Sequence, residues 1–169
     1  MANKTDGQQA LWTLNIPDFF PLSPNRLIGK HKMVYANHRR LVRRAIYNAI
    51  GHEPTPKFTG RPSVLVMRLY GKGKRPWDQD NVTAAIKPIV DTLRGGKTKT
   101  PMKPLELFED DTTKHIKLLP VVQRKSPDGR TWTRIMVSGT LAPKVEVQHG
   151  PGQQIELDAQ IDEALHRCD

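Results

Sequence analysis

The chain has 169 residues, of which 27 are lysine or arginine and 17 are aspartate or glutamate, giving a formal net charge of +10. That length favours one domain with a sizeable hydrophobic core. The single cysteine, Cys168, excludes an intramolecular disulfide and a cysteine-based zinc site. The sequence has no apolar run near the roughly 18 residues of a membrane-spanning helix and no signal-peptide pattern, so we expect a cytoplasmic protein.

The charge is distributed unevenly along the chain. Residues 141–169 hold two of the basic and six of the acidic residues, so residues 1–140 carry a net formal charge of +14. A surplus of this size predicts a polyanionic partner, most often DNA or RNA; the alternative is a protein that is basic without a nucleic-acid partner. We therefore expect the nucleic-acid surface within residues 1–140, followed by an acidic tail with a short helix around Ile155.

The first part of the chain predicts a strand and a helix. Residues 1–9 are polar and expected to be flexible, and residues 10–16 predict a strand that leads into a proline-rich loop. Residues 35–50 predict a helix that ends at Gly51. Its apolar stripe comprises Leu41, Val42, Ala45, Ile46, Ala49 and Ile50. Its arginines could contact a phosphate backbone or form an ordinary solvated face: Arg39, Arg40, Arg43 and Arg44.

A second strand and a second helix follow a proline-rich connection. Residues 63–70 are the clearest strand in the sequence, and residues 71–76 form a basic glycine loop after it. A helix is predicted over residues 80–93, with Asp80 as its N-cap. Pro88 conflicts with an uninterrupted helix, because proline removes a hydrogen bond from a helix interior. The basic loop contributes three cations to the expected DNA surface, Lys72, Lys74 and Arg75, and a later segment adds Lys114.

The remaining elements complete one domain, expected over residues 10–140. Residues 94–104 contain glycines, prolines and lysines and predict a loop. Residues 116–122 and 132–137 predict two strands. Residues 124–130 contain an Asp-Gly turn and predict a hairpin loop between those strands.

Two acidic clusters lie inside the basic part of the chain, and a divalent cation is the simplest explanation for them. In an extended segment Asp78 and Asp80 point to the same side, roughly 6.5 Å apart along the chain, so both can reach one ion. Mg²⁺ takes hard oxygen ligands, and Asp110 or Asp111 could supply a third carboxylate. Such a site is suited to phosphodiester hydrolysis. The alternative for Asp80 is a plain helix cap.

Lys87 is the candidate for a phosphate-binding cation near these carboxylates. It lies seven residues after Asp80, two helical turns along the predicted helix and therefore on roughly the same face. The alternative is a surface lysine that pairs with Asp91, four residues later. The spacing does not decide between the two.

Four segments, taken together, resemble the RusA family of Holliday junction endodeoxyribonucleases over about residues 11–138. The family pattern is a Pro-Ser-x-Asn loop after the first strand, then Asp-x-Asp-Asn, a Lys-Pro-x-x-Asp-x-Leu helix, and an aromatic residue before Asp-Asp. The matching segments here are Pro-Leu-Ser-Pro-Asn-Arg at 21–26, Asp-Gln-Asp-Asn at 78–81, Ile-Lys-Pro-Ile-Val-Asp-Thr-Leu at 86–93 and Phe-Glu-Asp-Asp at 108–111.

The resemblance implies a small α/β fold with a mixed sheet flanked by helices, a homodimer, and a bacterial or phage origin. It further implies resolution of four-way DNA junctions by paired nicks that depend on Mg²⁺, with Mn²⁺ as an alternative. Asp78, Asp80 and Asp111 match the metal-binding carboxylates, with Asp110 secondary. Lys87 matches the catalytic lysine by its Lys-Pro-x-x-Asp context. The family usually has that lysine at the position of Ala84, and an added helical turn would explain the shift.

The sequence leaves two other functions open. One is a metal-dependent nuclease for flaps or forks. The other is a non-catalytic DNA-binding protein with the same fold. The acidic residues argue against the second, because a protein that only binds DNA gains affinity by losing them.

Overall fold

The computed structural model describes residues 8–95 and 105–143, and within them five strands form one mixed sheet. The strand order is β1-β5-β2, and the far side of β2 pairs with both β3 and β4. β5 is antiparallel to β1 and β2, whereas β3 and β4 are parallel to β2. The expectation of a small mixed α/β sheet is thus confirmed. The strands are β1 Gln9–Pro17, β2 Phe58–Tyr70, β3 Lys117–Leu118, β4 Val122–Lys125 and β5 Trp132–Leu141.

The strand directions bring three loops to one edge of the sheet. Because β5 is antiparallel to both β1 and β2, these two strands run the same way, and β4 runs with them. Their carboxyl ends therefore meet at one edge, which we call the loop edge. The loops that leave it are residues 18–31, 71–78 and 126–131.

One face of the sheet is buried beneath the helices. Val64 and Val66 of β2 lie opposite Val137 and Ile135 of β5, and all four side chains are inaccessible to solvent. Residues between them, such as Leu65, point to the other face and are only half-buried. This alternation is what period-two side-chain geometry requires of a sheet with one covered face.

The first helix, α1 (Lys32–Ile50), begins three residues earlier than expected and ends at Gly51 as expected. The His31 ring nitrogen accepts a hydrogen bond from the Met33 N–H, which supplies a cap that the apolar pattern does not reveal. Leu41, predicted in the apolar stripe, is 56% exposed, because one residue is a rotation of about 100° away from buried Val42. The fully or nearly buried side chains of α1 are His38, Val42, Ile46 and Ile50.

The predicted helix over residues 80–93 is two short helices, and the prediction of one continuous helix is wrong. α2 (Gln79–Ala85) and α3 (Lys87–Leu93) are separated at Ile86. Pro88 lies in the first turn of α3, where its missing N–H costs no helical hydrogen bond. The N-cap is Asp78 and not Asp80, which lies in the first turn of α2.

The predicted hairpin between residues 116–122 and 132–137 is also wrong. Residues 116–122 hold β3 and only the first residue of β4, which runs on to Lys125 into the predicted loop, and neither strand pairs with β5. β2 lies between β4 and β5, so residues 126–131 cross the end of β2. The Asp-Gly signal was correct for a turn, but a turn does not determine which strands pair.

The start of β2 differs from the prediction. β2 begins at Phe58 instead of residue 63, with a register shift between Thr59 and Ser63. Residues 1–7, most of the predicted loop at 94–104, and the acidic tail from residue 144 with its predicted helix lie outside the described residues. In the part of the chain that is described, no helix has the length and apolar character needed to cross a membrane.

Candidate functional site

A cleft at the loop edge brings together two of the predicted motifs. It is lined by Ser23, Pro76, Trp77, Asp78 and Asn81. Ser23 immediately precedes a short 3₁₀ helix, which packs against α2. The Pro-Ser-x-Asn loop and the Asp-x-Asp-Asn segment are therefore neighbours, although more than 50 residues separate them in the chain.

Asp78 and Asp80 are both exposed in or beside this cleft. Asp78 has an extended backbone conformation at the N-cap, and its side chain makes no capping hydrogen bond. Within the described residues, neither carboxylate forms a hydrogen bond or an ion pair with the protein. The argument that placed both side chains on one side of an extended segment is wrong, because Asp80 already belongs to a helical turn.

A cluster of ion pairs lies where α3 meets the second acidic segment. The Lys87 Nζ is 3.2 Å from an Asp91 carboxylate oxygen and 3.4 Å from Asp111 Oδ2. The Arg94 Nη1 is 2.8 Å from Asp111 Oδ1 and 3.3 Å from Asp110 Oδ1. The two alternatives for Lys87 are therefore compatible: it pairs with Asp91 and it also contacts a predicted site carboxylate. These five residues are called the ion-pair cluster below.

The backbone explains why the cluster forms at this point. Arg94 and Phe108 form a parallel bridge, and the Leu107 N–H donates to the Leu93 carbonyl at 2.9 Å. Leu93, Leu107 and Phe108 are all buried in the core. The aromatic residue before Asp110 therefore anchors the acidic segment against the end of α3, which places both acids beside Arg94.

The charges within the cluster stabilise one another. The Asp111 side chain is only 17% exposed. Partial burial by itself would raise the pKa of Asp111, but hydrogen bonding with Asp110 and the positive charges of Arg94 and Lys87 lower that pKa to about 2. The hydrogen bond and charge of Asp91, with a smaller contribution from Asp111, raise the pKa of Lys87. Asp111 is therefore a carboxylate and Lys87 an ammonium at neutral pH.

The donor chemistry of the predicted metal ligands fits magnesium, since Asp78, Asp80 and Asp111 offer only carboxylate oxygens. The positions of these carboxylates, however, do not form a complete metal site. Among the residues that the structure describes, no three His, Cys, Asp or Glu side chains gather in a group able to hold a metal ion. Asp111 has one oxygen facing Arg94 and the other facing Lys87. Both oxygens of Asp111 therefore already have a cationic partner in this structure.

The basic glycine loop lies at the loop edge, as its position after β2 requires. The side chains of Lys72, Lys74 and Arg75 are exposed. The Lys72 N–H donates to the Gly129 carbonyl at 2.9 Å, which ties this loop to residues 126–131. The parallel pairing of β4 with the end of β2 brings two further exposed cations, Arg124 and Lys125, to the same edge. Sequence reasoning missed these two, because it treated their segment only as a hairpin loop.

The other predicted DNA-contacting residues lie on separate elements. Arg39, Arg40 and Arg44 are exposed on α1, whereas Arg43 is half-buried. Arg40 donates a hydrogen bond to Asn37 on the same helix at 3.4 Å. Lys114 is exposed in the segment after the acidic pair. These positions suit either of the alternatives for the α1 arginines, a DNA contact or a solvated face.

Three further residues near the candidate site were not identified from the sequence. Arg94 follows the predicted helix, where the composition indicated a loop. Arg68 and Gln123 lie opposite each other on β2 and β4. A signal for Arg68 was present, because it continues the two-residue alternation of Val64 and Val66 and therefore falls on the buried face.

No protein-family model and no curated protein sequence matches this chain. The likeness to the RusA family therefore depends on the four motif segments and their spacing.

Proposed function

We propose that this protein is a Mg²⁺-dependent endonuclease for branched DNA, with the four-way junction as its preferred substrate. The observation that carries the proposal is the 3.4 Å contact between Lys87 Nζ and Asp111 Oδ2. These residues come from two separate motifs and are 24 positions apart in the chain, and the sequence pattern of each motif predicts a site residue independently of their contact. The shared cleft of Ser23 and Asp78 gives independent support for the same set of motifs.

Each residue of the site has a distinct role in this proposal. Asp78, Asp80 and Asp111 would hold the ion, with Asp110 secondary. The bound ion would lower the pKa of a water molecule and neutralise charge on the phosphate. Lys87, kept protonated by its carboxylate neighbours, would donate a hydrogen bond to a phosphate oxygen. A phosphate group bound to Lys87 and Arg94 would replace Asp111 as their anionic partner. The Asp111 oxygens would then be available to bind the metal ion.

The DNA would be held by the basic surface outside the ion-pair cluster. The loop-edge cations Lys72, Lys74 and Arg75 stand closest in the chain to Asp78, and Arg124 and Lys125 extend this surface. The α1 arginines and Lys114 are further candidates. A homodimer would suit a four-way junction, because both have approximate two-fold symmetry and the dimer presents two equivalent sites.

A nicking assay tests the proposed function. The substrates are a synthetic four-way junction, a flap, a fork and a linear duplex of matched sequence, each with Mg²⁺, with Mn²⁺ and with a chelator. Paired nicks in the junction that require the metal, with little cleavage of the duplex, are expected. Equal cleavage of all substrates would contradict junction specificity, and faster cleavage of flaps or forks would reassign the substrate.

Asp80→Asn is the variant that separates cleavage from binding. It should abolish nicking, because it removes a proposed metal ligand, while affinity for the junction stays the same or rises slightly as one negative charge is lost. Gel-shift and cleavage assays on the same preparation check both parts. Cleavage by Asp80→Asn at a near wild-type rate would contradict the assignment of Asp80 to the metal.

The second candidate is a DNA-binding protein without catalysis. The 2.8 Å pairing of Asp111 with Arg94 favours it, because this contact neutralises a carboxylate that would otherwise repel phosphate. Junction binding with no cleavage in either Mg²⁺ or Mn²⁺ would select this function.

A further inference from the structure

A cation occupies a core position at the end of β2. Val64 and Val66 point into the core, and the next inward position is Arg68, which is 5% exposed. Arginine is almost never so buried without a charged partner. Within the described residues Arg68 has no ion pair, and its buried Nε–H has no hydrogen-bond acceptor. Burying an uncompensated charge opposes folding, so the stability of the sheet does not explain this residue.

The guanidinium is enclosed by aromatic rings from the loop edge. It lies 4.1 Å from the centre of the Trp77 ring and 5.4 Å from that of Phe20. Phe20 in turn packs edge-to-face on Trp77, with ring centres 5.5 Å apart. A cation over an aromatic face is attracted by the ring quadrupole, and this attraction strengthens when water is excluded. Arg68 thereby holds the ring of the residue that precedes Asp78.

Hydrogen bonds connect the same guanidinium to the backbone of this loop. The Arg68 Nη1 donates to the Arg75 carbonyl at 3.3 Å and to the Gln123 side-chain oxygen at 2.9 Å. That oxygen also accepts the Trp77 N–H at 2.9 Å, and the Gln123 amide nitrogen donates to the Trp77 carbonyl at 2.7 Å. One amide side chain therefore satisfies both backbone groups of Trp77.

We propose that Arg68 and Gln123 are positioning residues that fix the loop ahead of Asp78 and thereby direct its carboxylate into the cleft. All their contacts with the loop fall on residues 75–77, immediately before Asp78. The loop contains two glycines, Gly71 and Gly73, and would otherwise have wide conformational freedom. Apolar side chains would suit the end of a buried sheet face better than a cation and an amide do. Anchoring the loop explains why Arg68 and Gln123 occupy these positions. The catalytic part of this inference rests on the proposed function.

The structural part can be tested without DNA or metal by amide hydrogen exchange. Arg68→Met keeps an unbranched, largely apolar stem and removes the charge and the donors. It should accelerate exchange of the Trp77 N–H by at least ~10-fold, while amides in the middle of α1 keep their protection. Arg134→Met is the matched control, because Arg134 lies on neighbouring β5 and donates to Asn15, away from this loop. It should leave Trp77 exchange unchanged.

The catalytic part is tested by single-turnover cleavage of a four-way junction. A misplaced reacting group can lower a rate by about 10²-fold, so Arg68→Met should reduce cleavage on that scale with little change in junction affinity. Gln123→Leu should reproduce both effects. Arg68→Lys keeps the charge and lacks the planar fork, so it should restore Trp77 protection only in part.

The outcomes distinguish this proposal from the proposed function. If Arg68→Met does not fold, Gln123→Leu decides in its place. Wild-type exchange at Trp77 in a folded Gln123→Leu protein overturns the proposal, as does fast exchange combined with wild-type cleavage. If the wild-type protein cleaves no DNA, the proposed function fails, and the exchange data still decide whether Arg68 and Gln123 fix the loop.

Discussion

At the scale of single residues, Lys87 carries the sharpest prediction. Lys87→Ala should lower the single-turnover rate of junction cleavage by ~10²-fold or more, the effect of losing a preorganised charge-stabilising donor. Stability should fall by less than about 1 kcal/mol, because the Lys87 side chain that forms these ion pairs is itself largely exposed to water. Lys57→Ala is a close control: Lys57 is equally exposed and pairs with Glu106 at 3.1 Å, outside the candidate site.

The two lysine variants should differ only in cleavage. Equal cleavage by Lys87→Ala and Lys57→Ala would remove Lys87 from the mechanism. The charge-stabilising role would then pass to another cation of the site, with Arg94 the nearest by its contact with Asp111.

The lowered pKa of Asp111 predicts how the stability of the protein changes with pH. Its pKa is about 2 in the folded protein against an ordinary value of 3.8, so its folded-state pKa is depressed. The corresponding stabilisation is present above about pH 4 and is lost as the pH falls toward 2. Allowing for water around its partners, we expect about 1 kcal/mol. In urea unfolding, the stability difference between wild type and Asp111→Asn should shrink over this range.

A carboxylate outside the ion-pair cluster is the control for this measurement. Asp78→Asn removes one acid that forms no ion pair within the described residues. A stability difference between wild type and Asp111→Asn that stays constant from pH 4 to pH 2 would contradict the stabilising role of Arg94 and Lys87.

At the scale of elements, the end of β2 depends on a close approach between two loops. A Cβ on Gly71 would collide with the Gly129 carbonyl oxygen. Gly71→Ala should therefore cost about 1–3 kcal/mol of unfolding free energy, as overpacking commonly does, and displace residues 126–131 from the basic loop. Chemical denaturation measures this cost. Lys72→Ala keeps the backbone contact and should change stability by no more than about 0.5 kcal/mol.

At the scale of the whole molecule, the uneven charge predicts a salt-dependent interaction with DNA. If the protein neutralises ~6 phosphates, the logarithm of the binding constant should fall with a slope of about −5 against the logarithm of salt concentration. Replacing Lys72, Lys74 and Arg75 together by alanine should make the slope shallower by about 2 to 3. Binding titrations at several salt concentrations check this, and a flat response would contradict a nucleic-acid partner.

Much of the fold followed from local sequence signals. The strand at residues 63–70 and the end of α1 at Gly51 depend on patterning and backbone preference, which act over short distances, whereas the mixed α/β sheet was expected from the family resemblance. The conflict at Pro88 also had a local solution, since proline is tolerated in a first helical turn and the chain begins α3 there.

The sequence alone identified the acids, Lys87 and the basic surplus, because charge and chemical type are properties of the residues themselves. Only the tertiary structure decided that β2 separates β4 from β5, that Lys87 contacts Asp111, and that Arg68 and Gln123 hold the loop ahead of Asp78. The physical reason is that these contacts join distant parts of the chain. Strand pairing and buried polar contacts depend on which surfaces meet in the folded core, and no local preference specifies that meeting.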